Sequence, residues 1–114
     1  MYKLHPKIKR DEIVSTFGER KDIELRINKV EYTQECSIDS DPLHYHKQST
    51  VFFIITEGVY LIEADGETVE LGQDSILEIK PGTKYRAKAV IKAPCICVTV
   101  GTYNDEGDRV VVEK

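Results

Sequence analysis

The chain has 114 residues, of which 40% are hydrophobic and 32% charged, and its formal net charge is −4. This length suits a single domain with one hydrophobic core. The acidic balance argues against nucleic acid as the main partner, because that binding depends on neutralising phosphates. No apolar run approaches a membrane span and no signal-peptide pattern begins the chain, so we expect a cytoplasmic protein whose three cysteines are reduced.

Residues 1–22 form a mixed N-terminal segment, in which the stretch from Asp11 to Phe17 predicts a short helical turn or a strand. From residue 23 to 114 short strands alternate with turn residues, which is typical of a sandwich or barrel. Leu25 and Ile27 alternate out of phase with Val30 and Tyr32, and this slip predicts a β-bulge between the two pairs. No long segment has helical periodicity, so the fold is predicted to be all-β.

Turn residues separate the strands that we predict in the second half of the chain. Asp65-Gly66 is the strongest signal, because this pair supplies the positive φ that a tight hairpin requires. Further turns are predicted from Leu71 to Asp74 and from Lys80 to Gly82. The strands predicted around these turns cover residues 59–63, 68–71, 75–79, 83–91, 95–102 and 109–113.

Two histidines, His44 and His46, are the most informative residues in the chain. Alternate side chains of a strand share a face, so both imidazoles point in the same direction. They can therefore converge on one metal ion, one proton or one ligand atom.

The spacing after this pair matches a known motif of the form H-x-H-x4-E-x6-G. His44 and His46 occupy its histidine positions, Val51 stands at the glutamate position and Gly58 at the glycine position. On these residues the chain resembles a small single-domain cupin. The resemblance implies a double-stranded β-helix, also called a jelly-roll barrel, over residues 23–114.

A second cupin motif is similar to the segment that begins at Gly72. The turn Lys80-Pro81-Gly82 matches, Tyr85 stands at the histidine position and Ala89 at the asparagine position. The resemblance implies that His44, His46, Val51 and Tyr85 all face the barrel interior.

Cupins that bind a metal typically hold it with three histidines and one glutamate. By resemblance, His44 and His46 would be the metal ligands of this chain if a metal is bound. Two imidazoles alone make a weak divalent site, so we expect either no cofactor or a weakly held divalent transition metal. Cys97, on a late strand, either reaches inward as a soft ligand or is a buried small thiol.

The function predicted first is binding of a small polar ligand, a sugar or an organic acid, inside the barrel. The residues expected to contact it are His44, His46, Phe53, Tyr85 and Cys97. This set is short of charged anchors, so recognition of phosphate would have to come from loops.

Two alternatives involve catalysis. The first is a metal-independent sugar isomerase or epimerase, in which His44 or His46 is the base and Tyr85 the acid. The segment from His44 to Lys47 has the pattern H-x-H-K, which resembles the stretch found at the matching place in the metal-independent nucleotide-sugar ketoisomerases. The second alternative is a metal-dependent cupin enzyme such as a dioxygenase.

The apolar run from Val51 to Ile55 predicts a partner. The motif register turns Val51, Phe53 and Ile55 inward, which leaves Phe52 and Ile54 on the outer face. An exposed apolar strip would favour aggregation, so a second subunit or the N-terminal segment is expected to cover it. We therefore predict a homodimer.

Overall fold

The computed structural model describes residues 2–17, 25–103 and 106–112. Within these residues every strand pairing is antiparallel. The strands are β1 (Lys7–Lys9), β2 (Val14–Phe17), β3 (Arg26–Tyr32), β4 (Cys36–Ser37), β5 (His44–His46), β6 (Val51–Ala64), β7 (Glu67–Leu71), β8 (Ser75–Ile79), β9 (Tyr85–Gly101) and β10 (Arg109–Val111). A 3₁₀ turn, Glu106–Asp108, precedes β10.

The long strands β6 and β9 form the frame of the barrel and pair with each other along most of their length. The first half of β6 also pairs with β8, and its second half pairs with β7. The segments predicted as separate strands at residues 83–91 and 95–102 are therefore parts of one strand. The all-β jelly-roll prediction is confirmed, and the ten strands form one continuous sheet that the two long strands hold together.

Gly58 allows β6 to bend between the segment that pairs with β8 and the segment that pairs with β7. Its φ is +86°, and a Cβ at this position would lie 2.5 Å from the carbonyl oxygen of Pro94 and 2.6 Å from that of Lys92. Only glycine fits so close to the backbone of β9 with that dihedral angle. Because of this bend, both ends of β6 lie at the same end of the barrel. Val51, its first residue, lines the same cavity as Tyr85, and Tyr85 is the cross-strand partner of Ala64, its last residue.

The N-terminal segment forms strands, and the alternative of a helical turn is wrong. The Asp11 Oδ1 atom accepts hydrogen bonds from the backbone N–H groups of Ile13 and Val14, both at 2.8 Å, and so stabilises the turn between β1 and β2. β2 then pairs with β3, which extends the same sheet. The boundary predicted between residues 22 and 23 lies outside the described residues.

The β-bulge predicted in β3 is also wrong. β3 pairs with β9 over all of its residues without a register shift. Arg26, Asn28, Val30 and Tyr32 therefore share one face, which is the inner one, because Tyr32 packs against the buried Tyr60 with ring centroids 6.0 Å apart. Ile27 lies on the opposite face of the strand.

The hydrophobic core fills the barrel interior and reaches the wall of the cavity described below. The predicted inward register of β6 is confirmed, because Val51 and Phe53 are each 7% exposed and Ile55 is 0% exposed. The buried hydrophobic residues are Val51, Phe53, Ile55, Tyr60, Ile62, Leu71, Ile79, Tyr85, Ala87, Val90, Cys95 and Cys97. Among the described residues, no helix has the length and apolar character needed to cross a membrane.

Candidate functional site

One end of the barrel contains a cavity of about 140 Å³. Four of the residues that the sequence analysis selected line it, namely His44, His46, Phe53 and Tyr85. The other lining residues are Arg26, Asn28, Ser49, Val51, Thr99, Gly101, Tyr103 and Arg109.

The short strand β5 brings the polar groups of the cavity together. His44 is the direct partner of Tyr85 on β9, and His46 is the partner of Arg109 on β10. The ring centroids of His44 and Tyr85 are 4.3 Å apart, and those of the two histidines 5.5 Å. The Pro-Gly turn holds this strand in place, since the N–H of Gly82 donates to the carbonyl oxygen of His46 at 2.8 Å.

Both ring nitrogens of His46 are hydrogen-bonded. Nδ1 lies 3.2 Å from Oδ2 of Asp108, and Nε2 lies 3.0 Å from the hydroxyl oxygen of Tyr85. An ionised carboxylate only accepts hydrogen bonds, so Nδ1 carries the proton of the neutral ring. Nε2 therefore accepts from the Tyr85 hydroxyl, and a hydrogen-bonded chain runs from Tyr85 through His46 to Asp108.

His44 has the same tautomer for a different reason. Its Nδ1 lies 2.8 Å from the carbonyl oxygen of Pro42, which can only accept, so this nitrogen carries the proton. No residue in the described part of the chain forms a hydrogen bond to its Nε2. The neutral ring of His44 thus offers a lone pair at the cavity, whereas the lone pair of His46 already accepts from Tyr85.

Asp108 holds this arrangement although it lies in the 3₁₀ turn outside β5. The residue is 4% exposed. Its carboxylate accepts from the backbone N–H of Gln48 at 2.6 Å and from that of Ser49 at 3.2 Å, besides the His46 ring. Its carbonyl oxygen accepts from the N–H of Lys47 at 3.0 Å. A buried carboxylate is stable only with such donors, so this residue ties the segment after β5 to the start of β10.

Burial controls the protonation of the three ring side chains. Desolvation lowers the pKa of both His44 and His46 below the ordinary histidine value, and each ring opposes a positive charge on the other. Desolvation raises the pKa of Tyr85, while the positive charges of Arg109 and Arg26 partly offset that rise. At neutral pH the predominant forms are two neutral imidazoles and a protonated phenol.

Cys97 does not line the cavity, in contrast to its predicted place in the ligand-contact set. It is 1% exposed and pairs with Ile55 of β6 and Val30 of β3 in a packed layer below the cavity. The layer above it presents Thr99, which does line the cavity. Burial raises the pKa of the Cys97 thiol to about 12, so it remains a small apolar side chain of the core.

The residues of the cavity do not fit the four-donor metal site of cupins. Val51 has no donor atom, Tyr85 stays protonated, and the nitrogens of His46 are both engaged in hydrogen bonds. In residues 2–17, 25–103 and 106–112, no group of three or more His, Cys, Asp or Glu side chains could hold a metal ion. The dioxygenase alternative therefore has no matching donor set in this part of the chain.

The expectation that the cavity is short of charged anchors is wrong, because Arg26 and Arg109 both line it. Arg26 and Asn28 are spaced by two residues from each other and from Val30 and Tyr32, so an uninterrupted strand places all four on one face. The predicted bulge broke this pattern and so concealed the inward position of Arg26. No local pattern marks Arg109, whose position depends on its pairing with β5.

An antiparallel jelly-roll barrel with a polar cavity at one end defines the class of small cupin-type barrels. Residues 38–101, more than half of the chain, match the sequence family described as Cupin domain. The chain therefore belongs to the cupin family. No curated protein matches it.

Solved structures with a similar fold have low sequence identity to this chain. Pac13 from Streptomyces, in a structure with uridine, is 16% identical with a TM-score of 0.71, and the match covers 99% of this chain and 91% of that chain. KdgF from Halomonas sp. is 13% identical with a TM-score of 0.63, covering 90% and 91%. An oxalate oxidase in complex with the substrate analogue glycolate is 15% identical with a TM-score of 0.60, covering 78% and 46%. These likenesses show the fold.

The lowered pKa values of the two histidines predict how stability depends on pH. In the unfolded chain their pKa is about 6.5, so below that pH the unfolded state binds more protons than the folded state. The free energy of unfolding should therefore decrease as the pH falls below about 6.5. Thermal melts at several pH values should show this decrease, with a smaller slope in His44→Gln than in the wild-type protein. An unchanged slope in His44→Gln would contradict the assignment.

Proposed function

We propose that this cupin binds a small polar ligand, a single sugar ring or an organic acid of similar size, in the cavity of the barrel. The observation that carries the proposal is the combination of cavity size and lining. A volume of about 140 Å³ is close to that of cavities that enclose one benzene-sized ring. Val51 and Phe53 provide apolar surface, while His44, Tyr85 and Asn28 provide hydrogen-bonding groups.

The similar structures support a ligand of this kind. The Pac13 structure is described with uridine, and that of oxalate oxidase with the substrate analogue glycolate, both small and polar molecules. Pac13 is itself described as a nucleoside dehydratase. Fold likeness does not transfer a substrate, so the ligand proposed for this chain rests on its own cavity.

A second candidate function is proton transfer to and from the bound ligand, as in an isomerase or epimerase. The observation that favours it is the hydrogen-bonded chain from Tyr85 through His46 to Asp108 beside the unoccupied acceptor of His44. General acid–base catalysis needs an acceptor and a donor that reach the same ligand. His44 and Tyr85 meet this requirement as cross-strand partners.

The two histidines would have different roles in such a reaction. The reactive form would carry one proton more than the predominant pair of neutral imidazoles, and Asp108 would stabilise that proton on His46, whose Nε2–H then donates to the oxygen of Tyr85. The Tyr85 hydroxyl is thereby freed to donate to a carbonyl oxygen of the ligand. Nε2 of His44 removes a proton from the carbon next to the carbonyl group. Tyr85 protonates the carbonyl oxygen at the same time, which gives an enediol. The Nε2–H of His46 then returns a proton to the oxygen of Tyr85.

One panel of ligands tests both candidates. We would measure thermal shifts and solvent deuterium incorporation with aldoses, ketoses, sugar acids and small hydroxy and keto acids. A ligand at 100 times its Kd should stabilise the protein by about 2.7 kcal/mol. Loss of acid–base groups in His44→Gln and Tyr85→Phe should slow deuterium incorporation by about 10²- to 10⁴-fold.

Tyr45→Phe is the matched control, because Tyr45 lies between the two histidines and points to the opposite face of β5. It should keep both the thermal shift and the exchange rate. Thermal shifts without deuterium incorporation would support ligand binding and would contradict the proposed proton transfer. No shift with any ligand in the panel would contradict binding itself.

We also propose that a second copy of the chain covers the outer face of β6 and β8. Ile76 is 66% exposed and is the cross-strand partner of Ile54, whose other partner is Val98. The N-terminal strands β1 and β2 continue the sheet beyond β3, so they do not lie across this face. A symmetric dimer would bury the apolar strip against its own copy.

Light scattering at high micromolar concentration should give the mass of a dimer. Ile76→Lys should shift the protein to monomers, because it places a charge in the proposed interface. Ile91→Lys is the control, since Ile91 is 48% exposed and outside this strip. A monomeric wild-type protein would contradict the proposal, as would a dimer that Ile76→Lys leaves intact.

A further inference from the structure

Arg26 and Arg109 give the cavity a positive charge. They reach it from β3 and β10, two strands that do not pair with each other. The described residues that line the cavity include no carboxylate. With both imidazoles neutral, the lining therefore carries two positive charges, which favours a negatively charged ligand.

Two acidic groups of the described residues, Asp108 and Asp41, lie beside the cavity without lining it, and both accept hydrogen bonds from other groups. The carboxylate of Asp108 is surrounded by N–H donors from His46 and the segment after β5. Asp41 accepts from the N–H of Ala87 at 2.7 Å and contacts Nη2 of Arg109 at 3.4 Å. That contact uses one of the five N–H donors of the guanidinium group.

Both arginines also act electrostatically on the hydroxyl of Tyr85 in the cavity wall. Burial and the negative charge of Asp41 raise the pKa of this hydroxyl, and the charges of Arg109 and Arg26 lower it. Each arginine thus favours a negatively charged oxygen at the position of that hydroxyl. Neutral groups on the same wall, Asn28 and Thr99, suit the hydroxyl groups of a sugar.

We propose that Arg26 and Arg109 bind the carboxylate of a monosaccharide-sized acid, such as a sugar acid. This inference rests on the proposed function and narrows it from polar ligands to anionic ones. A carboxylate matches the planar fork of a guanidinium group and adds little volume to one ring. A phosphate ester adds a larger group to a cavity of about 140 Å³, so the carboxylate is the better fit.

The test compares ligands with one ring and different charge by isothermal titration calorimetry. The probes are D-glucuronate, D-galacturonate, their neutral parents D-glucose and D-galactose, and D-glucose 6-phosphate. At least one acid should bind about 10- to 100-fold more tightly than its neutral parent, as expected for hydrogen bonds to a charged group. Arg109→Gln and Arg26→Gln should each remove most of that preference, so that the acid binds about as weakly as its neutral parent.

Lys80→Gln is the matched control, since it removes one positive charge from an exposed position outside the cavity. It should keep the preference for the acid. Arg109→Lys retains the charge without the fork and should bind the acid with intermediate affinity. This milder variant keeps the test informative if Arg26→Gln does not fold.

The outcomes distinguish this inference from the proposed function. If neutral sugars bind as tightly as the acids, or if the acid preference survives both arginine substitutions, the arginine assignment is wrong and the binding function stands. Preference for the sugar phosphate over both acids would replace the carboxylate by a phosphate and so contradict the ligand class. Absence of binding by every probe would overturn the function and the inference together.

Discussion

The buried carboxylate of Asp108 is the group on which the cavity depends. It accepts from two backbone N–H groups and from the ring of His46, and so fixes both the segment after β5 and the proton on Nδ1 of that ring. Because the proton is fixed there, Nε2 of His46 accepts from Tyr85. The neighbouring His44 is held through Nδ1 by a carbonyl oxygen, so the lone pair of its neutral ring is on Nε2. A pair that is symmetric in sequence is therefore asymmetric in chemistry.

The parts of the fold that depend on local pattern could be predicted from the sequence. Alternation along the strands and the Asp65-Gly66 turn indicate an all-β chain, and the hairpin joins β6 and β7 where the turn predicts it. Motif spacing brought His44, His46 and Tyr85 into one group, because the turn before β9 places Tyr85 beside His44. Whether these residues bind or catalyse stays a prediction.

The parts that depend on distant pairing could not be predicted. Asp108 is separated from His46 by 62 positions, and only the pairing of β10 with β5 brings them together. Arg26 was missed for another reason. The predicted bulge interrupted the alternation along β3, whereas the continuous register with β9 places Arg26 on the same inner face as Val30 and Tyr32. The error matters because it hid a charged residue of the cavity, which is one of the two on which the proposal of an anionic ligand rests.

The tautomers of the two imidazoles test this account most directly. A long-range ¹H–¹⁵N correlation spectrum, recorded on ¹⁵N-labelled protein above pH 7.5, distinguishes a protonated ring nitrogen from one that bears a lone pair. The account predicts that Nδ1 carries the proton in both His44 and His46, and that Asp108→Ala abolishes this preference in His46 alone. A wild-type spectrum in which Nε2 of His46 carries the proton would contradict the roles assigned to Asp108 and Tyr85.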